Sequence, residues 1–444
     1  MVLEKIQIKT EKDNFSIPFE INDVFLPELK KIYLFTINHK TAPISVREKF
    51  AIPEYSLTNS IQLLKNNTSL NSFLLLSTCN RTEIYVRSDS LEYTLKEIFN
   101  FFGNHLNVEE RLIKEYHLIL NAKEAIKHAF KVACGLESLV VGESQVLSQL
   151  KSAYSQAQQH QTLDNTLEKL FQTSIQIAKE IHKETDLSKN SQSISSAAVE
   201  IADKKAGPLK TKSIMVLGAG KMAKLALEHI VKVGGSKETV VLNRSPHRTI
   251  EFSEKYKTDR SVAFENIYEE MNNVDIIIAA TGAPHFIVFA DQFEKVRKDK
   301  NKPLIIFDIS MPRNIDPKFA RLNNIKIVDI DGLQLNQTSS TNQNSLELTY
   351  SIIKKGINQY FKTIESESSS SVIKSLRENL EKIRKNKLTK LIGTKESFTK
   401  EELDYITQNI INTILHKPTI NIKNSRQYGS QKDKIQVLKD LFDL

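Results

Sequence analysis

Cysteine is nearly absent: Cys79 and Cys134 are the two thiols in 444 residues. That excludes a disulfide-stapled scaffold and a metal site built from thiolates alone, and no metal site is expected. It points instead to a reducing compartment, where a thiol stays free to act as a nucleophile. No run of 18 apolar residues occurs, so nothing reads as a membrane-spanning helix. The first residues, MVLEKIQIKTEKDNF, lack a cationic stub leading into an apolar stretch and a cleavage site, so no secretory signal is read. The expectation is a cytoplasmic protein. What is present suits a globular chain: 40% hydrophobic and 26% charged residues. At about 150 residues per domain, the length predicts roughly three domains. Lys and Arg (62) outnumber Asp and Glu (53), a net charge of +9. Such an excess is compatible with a polyanionic partner such as RNA without requiring one.

Residues 1–30 form an N-terminal extension of weak pattern. Residues 31–185 alternate short strands (KIYLFTINH, FLLL, IYV) with helix-length segments, and 122–160 holds two helical stretches broken by Gly135 and Gly142. The polar stretch 186–196 reads as an inter-domain joint. Over 186–335, five buried-strand patterns (SIMVL, TVVLNRS, DIIIAATG, PLIIFDIS, IKIVDIDGL) are spaced by helix-length segments, the alternation of a doubly wound parallel sheet. The tail, 336–444, carries Leu346, Tyr350, Ile353, Ile357, Tyr360 and Ile364 at 4-3 spacing, interrupted by a Ser-rich gap at 366–371. This stripe predicts helix–helix association between two copies, or one amphipathic helix packed on its own domain. The fold class is therefore multidomain α/β: an α+β first domain, a Rossmann-type domain and a helical tail.

Four constellations carry chemistry. Gly218-Ala219-Gly220-Lys221-Met222-Ala223 lies between a strand and a helix, as a dinucleotide-binding turn does: the glycines let backbone approach a pyrophosphate at a helix N-terminus. The next strand ends in Asn243-Arg244-Ser245 rather than an acidic residue. A cation and a hydroxyl there suit a 2′-phosphate, so NADPH is preferred over NADH, unless Arg244 is an ordinary surface arginine. Ser77-Thr78-Cys79-Asn80-Arg81-Thr82 places a thiol in a polar turn after a buried strand. Adjacent cations would lower its pKa toward the reactive thiolate, and Arg81 is placed to do that or to hold an acidic substrate. His128 is a candidate acid or base. On composition alone, Cys79 could equally be a small buried hydrophobe, which is how Cys134 reads. Ser138, Glu143, Gln145 and Gln149 lie in and after a glycine-bracketed segment that reads as a pocket wall or as a loop between packed helices. Asn38 to Pro43, with Val46-Arg47-Glu48, could contact ligand or merely open a helix.

Together these stretches resemble the glutamyl-tRNA reductase family. NHKTAPISVRE, STCNRTEIY, HAFKVACGLESLVVGESQVLSQ, GAGKMA with NRS, DISMPRNIDP and LHKPT occur in the family's order across roughly residues 31–420. The resemblance implies NADPH-dependent reduction of glutamyl-tRNA to glutamate-1-semialdehyde through a Cys79 thioester, the first step of the five-carbon route to 5-aminolevulinate and tetrapyrroles. It implies a glutamate pocket of Thr78, Asn80, Arg81, Ser138, Glu143, Ser144, Gln145 and Gln149, with Arg81 on the substrate carboxylate, His128 important for activity, and Gly218 to Ala223 on NADPH. It further implies a spinal helix ending in a dimerisation domain, a homodimer, and transfer of the aldehyde to glutamate-1-semialdehyde aminomutase. Glu137 stands where Asp is commoner in the family, and Met311 and Asn314 where Val and Asp are frequent. The competing reading is another Rossmann dehydrogenase of a small metabolite, shikimate-dehydrogenase-like, needing neither thiol nor tRNA. A non-catalytic tRNA-binding protein is a third.

Overall fold

The computed structural model describes residues 29–67, 70–139, 141–185, 193–334, 343–392 and 399–423. Nearly all of the extension expected at 1–30 and most of the joint expected at 186–196 lie outside them. Two compact units divide the chain, Met1–Phe361 and Lys362–Leu444.

The first unit begins with an antiparallel sheet of four strands. These are β1 (Ile32–Asn38), β2 (Phe73–Ser77), β3 (Arg81–Arg87) and β4 (Leu118–Asn121), in the order β2-β3-β1-β4. Among the described residues seven helices go with it: α1 (Ile44–Phe50), α2 (Glu54–Asn67), α3 (Leu91–His105), α4 (Glu110–Tyr116), α5 (Ala122–Ala133), α6 (Ser144–Gln159) and the long α7 (Asn165–Glu184). Strand β4, LILN, escaped the sequence reading because four residues give no usable period. Phe35, Phe50, Phe73 and Phe102 fill the core on one face of the sheet.

After α8 (Ile194–Ala206) the second lobe of the same unit follows. It contains β5 (Ser213–Leu217), α9 (Lys221–Lys232), β6 (Glu238–Asn243), α10 (Pro246–Tyr256), β7 (Arg260–Ala263), α11 (Ile267–Glu270), β8 (Ile276–Ala279), α12 (Ala290–Val296), β9 (Leu304–Asp308), β10 (Ile325–Asp329) and α13 (Ile330–Gln334). Its six strands are all parallel, ordered β10-β9-β8-β5-β6-β7. The order reverses between β5 and β8, and ligands of such sheets bind at that switch point, beyond the strand C-termini. The sequence predicted five strands. The sixth, β7, is an edge strand whose residues Arg-Ser-Val-Ala are largely exposed, so it carries no apolar run to betray it.

Helices α14 (Gln343–Ile392) and α15 (Lys400–Lys423) form the tail. Of the two readings of the 4-3 stripe, its first part takes the second, packing on its own domain. Ile353, Ile357 and Tyr360 are buried within their own unit, where the Tyr360 hydroxyl donates to the Thr166 carbonyl at 3.2 Å. Lys355 also meets Glu180 of α7 at 3.1 Å. The stripe does have a core to join. The Ser-rich stretch 366–371 is no gap either: α14 runs through it unbroken, since serine costs a helix only a few tenths of a kcal/mol relative to alanine.

Candidate functional site

The thiol turn is built by hairpin geometry. Strands β2 and β3 pair Ser77 with Thr82, leaving Thr78 to Arg81 to close the connection, with Thr78 N–H on the Arg81 carbonyl at 2.8 Å and Asn80 N–H on Thr78 Oγ1 at 3.2 Å. Cys79 sits at its tip, partly buried, and packs against the hydrophobic core of the second lobe together with Leu139 and Met311. The loop after β1 closes over the turn: the His39 N–H donates to the Asn80 carbonyl at 3.0 Å.

Beneath the turn lies a charge network that the sequence only half revealed. Glu83, fully buried on β3, takes Arg81 Nη1 at 3.0 Å, His128 Nε2 at 2.7 Å, the Tyr85 hydroxyl at 3.1 Å and Thr36 Oγ1 at 3.4 Å. Burial works to raise its pKa, but His128 and then Arg81 overturn that and hold it at about 2. Arg81 Nη2 also donates to the Glu137 carbonyl, so two of its five N–H groups are taken. Glu137 in turn accepts Lys40 Nζ at 2.6 Å. Glu83 is not among the residues singled out in the sequence, whereas His39 and Lys40 belong to the loop read there as a ligand contact or a helix opening. Glu83 is separated from His128 by 45 residues in sequence, and only pairing of β1 with β3 brings them into one layer.

The electrostatics correct one expectation. Neighbouring cations do not make Cys79 acidic here: burial pushes its thiol up to about 12, Glu143 adds to that, and Arg47 and Arg81 offset only part. Glu143 is itself raised to about 7 by burial, with Arg81 and Lys221 pulling the other way. It precedes α6, and Gly135, at φ +73°, admits its backbone to 3.0 Å from where a Cβ would stand. Among the described residues, three buried polar atoms of these segments have no hydrogen-bond partner: His39 Nδ1, Asn80 Oδ1 and Gln145 Nε2. Unsatisfied buried polar atoms are costly, and a site awaiting a polar ligand is where they are tolerated. Ser138 is buried and Gln149 half-buried on α6. The Ser144 side chain lies outside the described residues. Cys134 is buried core.

The glycine loop follows β5 at the switch point. Gly218 has φ +109°, and a Cβ there would run into the Ala280 carbonyl of the neighbouring strand end, so only glycine fits. Gly220 precedes α9, and nothing lies within 4 Å of where its Cβ would stand. That open space above exposed helix N–H groups is what a diphosphate needs, so the residues present fit a dinucleotide. Ala223 is buried on α9, and Met222 gives its carbonyl to Ser195 Oγ at 2.9 Å. Lys221 is exposed at the start of the helix. Beyond β6, Asn243 and Ser245 are half-buried and Arg244 is exposed, its guanidinium 5.8 Å from the Phe264 ring centroid. Asn314 is buried and uses Nδ2 toward the carbonyls of Ala283, His285 and Pro312, contacts an aspartate could not make. No group of three or more His, Cys, Asp or Glu able to hold a metal occurs among the described residues, and no helix among them is long and apolar enough to cross a membrane.

Comparison with known proteins decides the kinship. The family model "Glutamyl-tRNAGlu reductase, N-terminal domain" matches residues 35–185, and "Glutamyl-tRNAGlu reductase, dimerisation domain" matches 349–444. Glutamyl-tRNA reductase of Carboxydothermus hydrogenoformans is 33% identical over 92% of this chain and 92% of its own length. The chain belongs to the glutamyl-tRNA reductase family. The family's enzyme from Thermodesulfovibrio yellowstonii is 34% identical over 88% of this chain and 93% of its own. The solved glutamyl-tRNA reductase of Methanopyrus kandleri aligns over 94% of this chain and 99% of its own at 24% identity, with a TM-score of 0.46. A "Shikimate / quinate 5-dehydrogenase" model matches residues 200–335 alone. The shikimate-dehydrogenase-like reading thus accounts for the nucleotide lobe and leaves the thiol lobe unexplained, and the reductase reading replaces it.

Proposed function

We propose that this chain reduces glutamyl-tRNA to glutamate-1-semialdehyde with NADPH, releasing tRNA, as the entry to 5-aminolevulinate and tetrapyrroles. The observation that supports this most is that Cys79 and Met222 of the glycine loop pack against the same hydrophobic core, that of the nucleotide lobe. Thiol and nucleotide loop therefore share one site. Sulfur attacks the ester carbonyl, the carbon–oxygen bond breaks, and the tRNA hydroxyl leaves with the proton that the thiol gave up. The glutamyl group is then a thioester, more electrophilic than the ester. Bound NADPH supplies hydride to that carbonyl. As the carbon–sulfur bond breaks, the aldehyde leaves and sulfur regains a proton from solvent.

Each residue of the chain has a part. Glu143, near neutrality in pKa, accepts the thiol proton or meets the substrate ammonium. Either event removes the charge that most opposes the thiolate. Asn80 and Gln145 offer their unpartnered oxygen and nitrogen to the glutamyl group, with Thr78, Ser138, Ser144 and Gln149 completing the pocket. Arg81 meets the side-chain carboxylate with N–H groups not used by Glu83 and Glu137. His128 orients Glu83, and through it Arg81. Gly218 to Ala223 cradle the diphosphate, and Asn243, Arg244 and Ser245 receive the 2′-phosphate.

The chain acts as a cytoplasmic homodimer, with exposed Leu403, Tyr405 and Ile411 of α15 offering an apolar surface to a second copy. It hands its unstable aldehyde to the aminomutase. The deciding experiment supplies glutamyl-tRNA and NADPH and looks for glutamate-1-semialdehyde. Free glutamate should not react. Normal turnover with no glutamyl adduct on Cys79 in enzyme deprived of reductant would overturn the reading.

A further inference from the structure

Two stretches noted in the sequence supply no group to the reaction proposed above: Val46-Arg47-Glu48 and the segment Asp308 to Arg313. The fold sets them face to face. Glu48 Oε1 accepts Arg313 Nη2 at 2.7 Å, and Oε2 accepts Arg313 Nε at 3.0 Å and its backbone N–H at 3.3 Å. Beside this pair, Arg47 Nη2 donates to Asp331 Oδ1 at 2.7 Å and Nη1 to Oδ2 at 3.2 Å, while the Ile44 N–H donates to Oδ2 at 2.9 Å. Both pairs are bidentate, the strongest and most directional form of an ion pair. Their polarity is crossed. Helix α1 contributes the cation to one and the anion to the other, so sliding it by one residue would set like charges against each other.

Both ends are anchored to the site. The Asp308 carboxylate accepts the backbone N–H groups of Ser310, Asn314 and Ile315 at 3.1, 2.8 and 2.9 Å, which fixes the loop that presents Arg313. Arg47 Nη1 also holds the Ala42 carbonyl at 2.9 Å, at the end of the loop that covers the thiol turn. Ile44, at the start of α1, is buried in the core of the nucleotide lobe.

We propose that these crossed ion pairs are a clamp that sets the nucleotide loop against the thiol turn, and so governs the reductive half-reaction while leaving acylation alone. The inference rests on the reaction proposed above. Acylation needs only groups around Cys79. Hydride transfer needs atoms contributed by both lobes at near-contact distance, and a displacement of about 1 Å costs on the order of a hundredfold in rate. An acyl-enzyme whose lobes are misaligned is left to water, which adds to the carbonyl, breaks the carbon–sulfur bond and yields free glutamate. Glu48 and Arg313 are thus positioning residues.

The test uses the full-length chain carrying Glu48→Gln, Arg313→Gln, or both charges reversed (Glu48→Arg with Arg313→Glu), each first shown to melt as the parent does. Acylation of Cys79 by glutamyl-tRNA without NADPH should stay within about twofold of the parent. With NADPH, reduction should fall about ten- to a hundredfold and the ratio of glutamate to semialdehyde should rise in proportion. The charge-reversed double variant should recover most of that loss. An unchanged product ratio in both single variants, a parallel fall of acylation and reduction, or a double variant no better than the singles would each overturn the clamp. A parent that forms no adduct on Cys79 would instead overturn the proposed reaction.

Discussion

The two halves of the site are built in opposite ways. The thiol turn stands on charged side chains taken out of water: Arg81, Glu83 and His128 are each less than 5% exposed and are drawn from one strand, β3, and one helix, α5. The glycine loop relies on backbone, with Gly220 and Lys221 exposed and Arg244 in solvent. A nucleophile needs its proton and its partner's charge controlled, and control requires low dielectric and fixed counter-charges. A diphosphate needs exposed N–H groups and room. One half is therefore vulnerable to the loss of a charge, the other to the addition of an atom.

Removing Glu83 gives the largest effect of that kind. Glu83→Gln keeps the volume but leaves Arg81 charged and buried without its carboxylate, a change that costs roughly 3–5 kcal/mol. It should lower the urea midpoint sharply at pH 7. Because the folded value of about 2 lies below the ordinary 4.5, the native carboxylate contributes stability that is full above pH 4.5 and is lost as pH falls toward 2. The variant's stability should therefore fall less steeply than the parent's between pH 4.5 and 2. Equal slopes would show that the network is not tuned as described.

A smaller change reports on the thiol itself. Glu143 is the charge that most opposes ionisation of Cys79. Glu143→Gln should lower the thiol pKa from about 12, and alkylation of Cys79 by iodoacetamide at pH 8 should speed up by about tenfold for each unit lost. A rate unchanged from the parent would mean that burial alone sets the thiol, and that substrate binding at Glu143 does nothing to activate it.

The same contrast explains what the sequence disclosed. The nucleotide lobe was legible because its signals are local: a strand, a glycine turn and a helix are adjacent in the chain, and Gly218 to Ala223 act together wherever that unit folds. Cys79 stood out in its polar turn, and the family resemblance gave it a chemical role. Its surroundings were not legible. Glu83, Tyr85 and Thr36 look like ordinary alternating strand residues, and the convergence of Thr36, Tyr85 and His128 on Glu83 depends on the register of β1 against β3. The thiol's high pKa was missed for a related reason: nearby cations can be read from sequence, but the desolvation that outweighs them is a property of packing. The 4-3 stripe on α14 was legible only in part. Its period correctly announced a buried face, but a period does not say whether the covering surface belongs to the same chain, and α7 supplies it for Tyr360.

The finest test lies within the glycine loop, between two residues that the motif treats alike. Gly218 is needed for folding geometry: its left-handed backbone and the Ala280 carbonyl both reject a side chain, so Gly218→Ala should cost about 1–3 kcal/mol of stability. Gly220 has extended backbone, φ −95° and ψ −174°, that alanine adopts freely, and open space around it. Gly220→Ala should therefore shift the melting curve only slightly, by less than about 1 kcal/mol, because alanine caps a helix less well than glycine but meets no strain here. Yet the added methyl stands in the space reserved for the diphosphate, and the KM for NADPH should rise about three- to tenfold with acylation of Cys79 unchanged. If Gly220→Ala lost stability and kept its cofactor affinity, the open space would belong to the fold, and the nucleotide half of the site would have to lie elsewhere on the sheet.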